Sequence, residues 1–593
     1  MIEKLGHRAR AEALHRPGVY HEIFDGETYR PGARTLNGWV HLIQTSIRTR
    51  LENVICVGVI PGPTQCKDMN SFLAPLLEEL LLLERGVESV KAPPAGQPDD
   101  LLALKGHSGC SLPISASHNL LHPLTLPGAE RGFPPHLLFL RTHELFHLHY
   151  RQLEALDGQP ARRAELATDL GINARPIFGR LKAIDLSTCA PYDIMHLLFE
   201  NLVPNMIAHW TGKYKSLDQG TEHYELAPGV WTEIGRLTNA AARTIPSAFV
   251  GTLPNISTDQ NLYKAEAYSF WFQYIGPIVL KNRLAQPYYN HYMLAREIVI
   301  RCVQLKITDA QIDELERMIR EWVADYERYY YQYNYERLRT CTLTIHALLH
   351  MPHYIRHTGP LCGSWAFVME RFCGRLLPAV KNRYQPYTHL DNYIVRRAKM
   401  QVVCFKYGLP RLARSTVKWR YEGGERLSQH EKRDPDFPNI ILGRPMASRI
   451  PVDRRLRDLM TSYGRFRMPR PTLATTHFNN GPDRPYEEVF YGRLINIYRV
   501  EFIEDVENNV REPFLLARIK ICKDTNGVDA ALPGNTVEYR SLDTDELFHI
   551  ELINAVVGRV PLNRNTWGII DTSRDGVRTQ FRDGNDDSDS DGE

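Results

Sequence analysis

The stretch from Pro191 to Trp210, PYDIMHLLFENLVPNMIAHW, limits how this chain can fold more than any other. Met195, Leu197, Leu198, Phe199, Leu202, Ile207 and Trp210 recur at a spacing that predicts a mostly buried helix, around which other elements are organised. Its charge sits at the start. Asp193 and His196, three residues apart, project from nearly the same helical face, where a carboxylate and an imidazole can meet a cation or a phosphate. The plain alternative makes Asp193 a helix cap and His196 a satisfied core contact.

A chain of 593 residues with 43% hydrophobic content can bury more than one core, and about three folding units are ordinary at this length. The formal charge of +3 excludes a polycation, so any nucleic-acid contact has to come from local basic surface. Ten cysteines occur without a CxxC pair, and no N-terminal apolar run resembles a signal peptide, which together predict a reducing compartment. No apolar stretch reaches the length of a membrane span.

Near the front, Val54 to Ile60 is a β-branched run closed by Pro61, Gly62 and Pro63, and predicts a buried strand. A leucine-rich helix capped at Asn70 or Ser71 and stopped at Gly86 follows, so this region is expected to form an α/β unit. From about 212 to 340 the pattern is all-α. Its clearest helix carries a capping box, Thr308 with Gln311, and an apolar stripe of Ile312, Leu315, Ile319, Trp322, Val323 and Tyr326. Tyr329, Tyr330, Tyr331, Tyr333 and Tyr335 follow, read as core rather than as a base-stacking platform.

His143 and His147, and again His346 and His350 with His353 nearby, have the one-turn spacing of metal ligands. Neither group brings a further ligand of known placement, so packing is the expected role. The helix WAFVMERFCGRLL holds an acid, Glu370, which is costly to bury unless paired, protonated or bound to a cation. From 375 to 470 the chain is basic and interleaved with aromatics. Lys381, Arg383, Arg396, Arg397 and Lys399 are candidate DNA phosphate contacts, with a solvated helix face as the equal alternative. Residues 421–485 read as a linker, 486–582 as short strands of a small β-barrel or compact sheet, and 583–593 as a disordered acidic tail.

Several blocks together resemble one family. The DxxH helix, AEAYSFWFQYIGP, LTIHALLH, GPLCGSWAFVMERFCGRLLPAVKNR, LKGHSGC, VVGRV and WGIID are similar to blocks of the fungal branch of the CACTA (En/Spm-type) DNA transposases, from about Phe24 to Phe581. The resemblance implies a transposable-element origin, a nuclear location, terminal-repeat DNA and a homo-oligomer as partners, and an RNase H-like domain whose acidic triad holds Mg²⁺ or Mn²⁺ for strand cleavage and transfer. It divides the chain into a truncated RNase H-like catalytic region (1–211), a helical insert (212–340), the remainder of the catalytic region with its basic face (341–420), the linker and the β domain. The expected fold is therefore a degenerate RNase H-like α/β core interrupted by helices and followed by a β-barrel-like module.

The family pattern fails at the front. Asn37 in TLNGW stands where relatives carry the first acid, and an amide brings no charge to a metal. Asp99 and Asp100 are the acids nearest the second position, and they lie in a proline-rich stretch. The resemblance makes Glu370 the third acid, with Glu200 and Glu266 as alternatives, Glu370, Asp193, His196 and Asp100 the candidate catalytic residues, and Glu370 with Asp100 the candidate metal ligands. Two of three expected acids thus lack a convincing position. The expected function is a catalytically impaired, at most DNA-binding relative; an active metal-dependent transposase and a non-enzymatic interaction scaffold are the alternatives.

Overall fold

The computed structural model describes residues 18–20, 69–84, 142–182, 184–189, 191–217, 222–246, 249–376, 379–380, 386–407, 431–437, 440–443, 451–467, 489–505, 510–523, 525 and 528–573. The strand expected over Val54 to Ile60 lies outside these residues, as do Asn37, Asp99, Asp100, Cys110, Lys381, Arg383 and the acidic tail. The expected α/β unit and RNase H-like core rest on that front segment.

In chain order, β1 (Val19–Tyr20) precedes helices α1 (Met69–Glu84), α2 (His143–Glu154) and α3 (Pro160–Leu170). A π-helical segment, Met195–Leu202, then runs directly into α4 (Val203–Trp210), followed by α5 (Pro228–Ala241). Next come α6 (Ala265–Phe270), a second π-helical segment (Trp271–Ile275), α7 (Gly276–Val279) and α8 (Gln286–Cys302). Strand β2 (Ile307–Thr308) pairs antiparallel with β1 and leads into α9 (Asp309–Tyr326), extended by a third π-helical turn, Glu327–Tyr331. The body closes with α10 (Leu343–Leu348), α11 (Met351–Thr358), α12 (Phe367–Leu376) and α13 (Pro386–Tyr407). Helix α1 begins at Met69, so Asn70 lies within its first turn rather than capping it, and its side chain accepts from the Ile177 N–H at 3.2 Å.

Proline explains two of the helix widenings. Pro204 and Pro277 each lack the amide that would bond four residues back, and their rings crowd that carbonyl; an i→i+5 stretch just upstream relieves the clash. The released carbonyls find other donors. Arg296, buried inside the body, donates from Nε to the Gln273 carbonyl at 2.6 Å, and Tyr292 donates its hydroxyl to the Phe272 carbonyl at 2.6 Å.

One apolar core joins β1 and β2 to the helices from the Met195 segment through α12, while α2 with α3 and α1 with Phe178 and Leu181 pack in two smaller clusters. Trp210, Trp271 and Trp322 are fully buried in the main core, and the predicted stripe of α9 is buried along its whole length. The Thr308–Gln311 capping box forms as expected. Tyr330 and Tyr331 are core, whereas Tyr333 is exposed. His209, also buried, stacks on Tyr214 at 3.9 Å, and its Nε2 hydrogen-bonds with the Tyr326 hydroxyl at 3.1 Å. Among the described residues no helix is long and apolar enough to cross a membrane.

The C-terminal region departs from expectation twice. Residues 421–485 are not a plain linker: they contain β3 (Glu431–Arg433) paired with β4 (Ile441–Gly443), and α14 (Arg454–Arg467). Asp453 caps α14 by accepting from the Leu456 N–H at 2.6 Å. Among the described residues the strands beyond form two sheets rather than one closed barrel. β5 (Gly492–Asp505), β6 (Val510–Cys522) and β8 (Leu542–His549) form one antiparallel sheet; β7 (Glu538–Tyr539), β10 (Trp567–Ile570) and β9 (Gly558–Pro561) form another. A small core with Tyr491, Cys522, Tyr539 and Ile569 joins the two sheets. The second sheet is held by the helical body, because Val560 and Ile570 belong to the main core and Gly568 lies against Ile278, where any Cβ would collide. Lys281 donates to the Thr536 hydroxyl at 2.7 Å across the same junction.

Candidate functional site

Asp193 stands immediately before the buried helix, and both of its oxygens are occupied. Oδ1 accepts from the Met195 N–H at 3.2 Å and from the Ala366 N–H at 2.8 Å; Oδ2 accepts from the His196 N–H at 3.1 Å and from His196 Nδ1. The first and third of these are capping bonds. The second joins the start of this helix to the residue before α12, 173 positions later in the chain. Asp193 is itself buried, so this fourfold satisfaction offsets the cost of taking its carboxyl group out of water.

His196 is half-buried, and with Nδ1 held by Asp193 its Nε2 faces Glu200 at 3.6 Å. Its pKa is raised above the ordinary value. The hydrogen bond to Asp193 is the main cause; burial opposes it, and the charges of Asp193, Glu200 and Glu370 add to it. The arrangement is an oriented imidazole whose cationic form is favoured by its neighbours, partly open to solvent and able to donate to an anionic oxygen or give up a proton there.

Glu370 contradicts the reading of a buried acid. Helix α12 buries Phe367, Val368 and Phe372, and position 370 falls on the opposite side, exposed to solvent. It shares the field around His196 with Glu200, which is also exposed. Arg371 beside it donates from Nε to the Phe367 carbonyl at 3.1 Å. Glu266 accepts from the Gly251 N–H at 3.3 Å, closing a turn. Asp100 lies outside the described residues.

These residues do not fit a Mg²⁺ or Mn²⁺ site. Such ions want several charged oxygens, whereas the centre of this cluster is an imidazole biased toward its cationic form and its one buried carboxylate is already satisfied by protein donors. Among the described residues no group of three His, Cys, Asp or Glu side chains is placed to hold a metal.

The histidine pairs sit where the packing reading puts them. His143 and His147 have Nε2 atoms 3.0 Å apart, His143 Nδ1 accepts from the Leu186 N–H at 3.1 Å, and Arg175 Nη1 lies 2.9 Å from His147 Nδ1. Burial, then the charges of His143 and Arg175, lower the His147 pKa. His346 and His350 likewise meet at 2.9 Å, the latter buried beside Tyr192.

On α13, Arg396 and Lys399 are exposed, and Asp391 is the helix's only acid. Arg397 is not a surface contact: it is half-buried with its guanidinium 5.7 Å from the Phe372 ring centroid, tying α13 to α12. Lys381 and Arg383 lie outside the described residues.

Sequence reasoning missed the Ala366 bond, which has no local signal. It also missed the charge clamp of α14, where Arg455 and Arg518 both hold the buried Asp545. A signal for α14 existed: Asp453 followed by Leu456, Leu459, Met460 and Tyr463 at helical spacing. Comparison with protein-family models, curated proteins and solved structures finds no match to this chain.

Proposed function

We propose that this protein derives from a CACTA-type DNA transposase and now holds DNA without cutting it. The observation that carries this reading is the state of Asp193. The Asp193 carboxylate of the DxxH pair, which a nuclease could turn outward, is spent inside the fold, bound to four protein donors and pinning the chain at Ala366. Glu370, exposed and sharing the field of the His196 imidazole with Glu200 rather than lying in a buried acidic pocket, supports the same reading. DNA affinity falls to exposed cations such as Arg396 and Lys399, which contact phosphates without reading sequence.

Two assays on the full chain test it. Duplex DNA carrying terminal inverted repeats is incubated with protein and Mg²⁺ or Mn²⁺, and no nicks are expected above background; metal-dependent nicking that disappears in Glu370→Gln makes the protein an active transposase instead. In fluorescence anisotropy, Arg396→Ala with Lys399→Ala is expected to weaken duplex binding about tenfold at low salt, each lost phosphate contact flattening the salt dependence by about one unit. Unchanged binding removes α13 from the interface.

A further inference from the structure

The sheet β5-β6-β8 carries a row of charge on one face. In the antiparallel register Arg493 on β5 stands opposite Lys520 on β6, and Lys520 stands opposite Asp545 on β8. Residues paired this way project to the same face, and like charges directly opposite each other repel. Asp545 does not relieve Lys520, because two guanidiniums already hold it: Arg455 from α14, donating from Nε at 2.7 Å, and Arg518, two residues before Lys520 on the same face of β6. Among the described residues neither Arg493 nor Lys520 is in an ion pair, and both are exposed. Asp543, the other acid here, is 3.4 Å from Lys523.

An open cleft of about 550 Å³ lies over this row, lined by Arg455, Arg518, Lys520, Leu542, Asp543, Thr544 and Asp545. Cations outnumber carboxylates around it, and the buried Asp545 fixes two guanidiniums in place before any ligand arrives. Asp545 stays ionised throughout the working range: burial pulls its pKa up, but the hydrogen bonds from Arg455 and Arg518 override this and bring it to about 2.

The cleft's shape and lining select the ligand class. It is open and spread across a helix and two strands, which suits an extended polyanion better than an enclosed small molecule. Its lining has one apolar side chain, Leu542, and no aromatic ring, so it offers neither a seat for an acyl chain nor a platform for a base. We propose that this cleft holds the phosphodiester backbone of duplex DNA, a second contact surface that rests on the nucleic-acid reading made above for α13.

The test uses the full chain and a labelled non-specific duplex in anisotropy titrations across a salt series. The variants are Lys520→Gln with Arg493→Gln, exposed strand positions whose loss leaves the Asp545 clamp intact. The pair is expected to weaken binding about tenfold at low salt and to reduce the slope of log affinity on log salt by about two. Lysine acetylation of the wild-type protein, read by mass spectrometry, is expected to show Lys520 protected by duplex, a readout free of any folding effect of the variants. Wild-type affinity and slope in the pair, or an unprotected Lys520, overturns the cleft while leaving α13 in place. Full binding loss in the cleft pair beside none in the α13 pair keeps the cleft and overturns α13. A chain that binds no duplex overturns both. Replacing chloride with inorganic phosphate at equal ionic strength separates the sources: abolition of duplex binding by millimolar phosphate marks a free-anion site and overturns the backbone assignment.

Discussion

The helical body and the β5-β6-β8 sheet solve the same problem with different physics. In the body, Trp210, Trp271 and Trp322 are fully buried, and polar groups among them such as Arg296 and His209 carry specific hydrogen bonds. In the sheet, Leu494, Ile495, Ile497 and Ile503 on β5 are exposed, and flanking elements are attached by charge: α14 through Arg455 and Asp545, the β3-β4 segment through Asp434 and Asp436 on Arg499. A charge clamp is weakened by salt, which screens it, whereas burial of apolar area is not. The attachment of α14 is therefore the part expected to loosen with salt, while the body answers to pH only through the titratable groups buried in it.

The largest expected effect breaks the body. Trp322→Ala leaves a cavity at the centre of the core and should cost about 4 kcal/mol in urea unfolding; a loss under about 1 kcal/mol would mean the core is not organised around α9. Acid comes next. His291 stacks on Trp322 at 4.6 Å and is buried, and burial brings its pKa down to about 4. A histidine whose folded pKa is depressed contributes stability that is complete above its unfolded value near 6.5 and lost as pH falls toward 4. Body stability should therefore drop by on the order of 3 kcal/mol across that window, and His291→Phe should lower the pH slope by about one proton. An unchanged slope would show that His291 titrates normally.

The sheet should behave otherwise over the same range. Asp545, with its depressed pKa, contributes stability above its unfolded value near 3.8 and loses it only as pH falls toward 2. Hydrogen exchange on α14 should thus hold while the body weakens. Asp545→Asn should release α14 at neutral pH, lowering its protection by about 2 kcal/mol; retained protection would mean that apolar contact through Leu456 suffices. The smallest effect concerns the rim of the body. His196 has a raised pKa, so its contribution is present below about 6.5 and lost as pH rises through the folded value. Glu200→Gln and Glu370→Gln should each lower that pKa by a few tenths of a unit in an NMR titration, and no change in either would separate that carboxylate from the imidazole.

Much of the body was legible in the chain. The α9 stripe, its capping box, the core role of Tyr330 and Tyr331, and the buried helix from Met195 to Trp210 follow from 3.6-residue periodicity, which needs no partner to be seen. Glu370 was misread because an acid flanked by apolar residues looks buried until the helix phase is known; Phe367, Val368 and Phe372 set that phase against their partners. Residues 454–467 were misread because five arginines masked a capped amphipathic pattern whose buried face is narrow.

What the sequence determined by itself is local: which helical faces are apolar, and where a capping box such as Thr308 with Gln311 starts a helix. Those depend on neighbours within a turn or two. Only the tertiary structure decided what the charged residues do, because a charge takes its meaning from partners the chain brings in from afar. Asp193 became a pin through Ala366, and Lys520 is in no ion pair among the described residues because Asp545 is claimed by two arginines, one of them from α14.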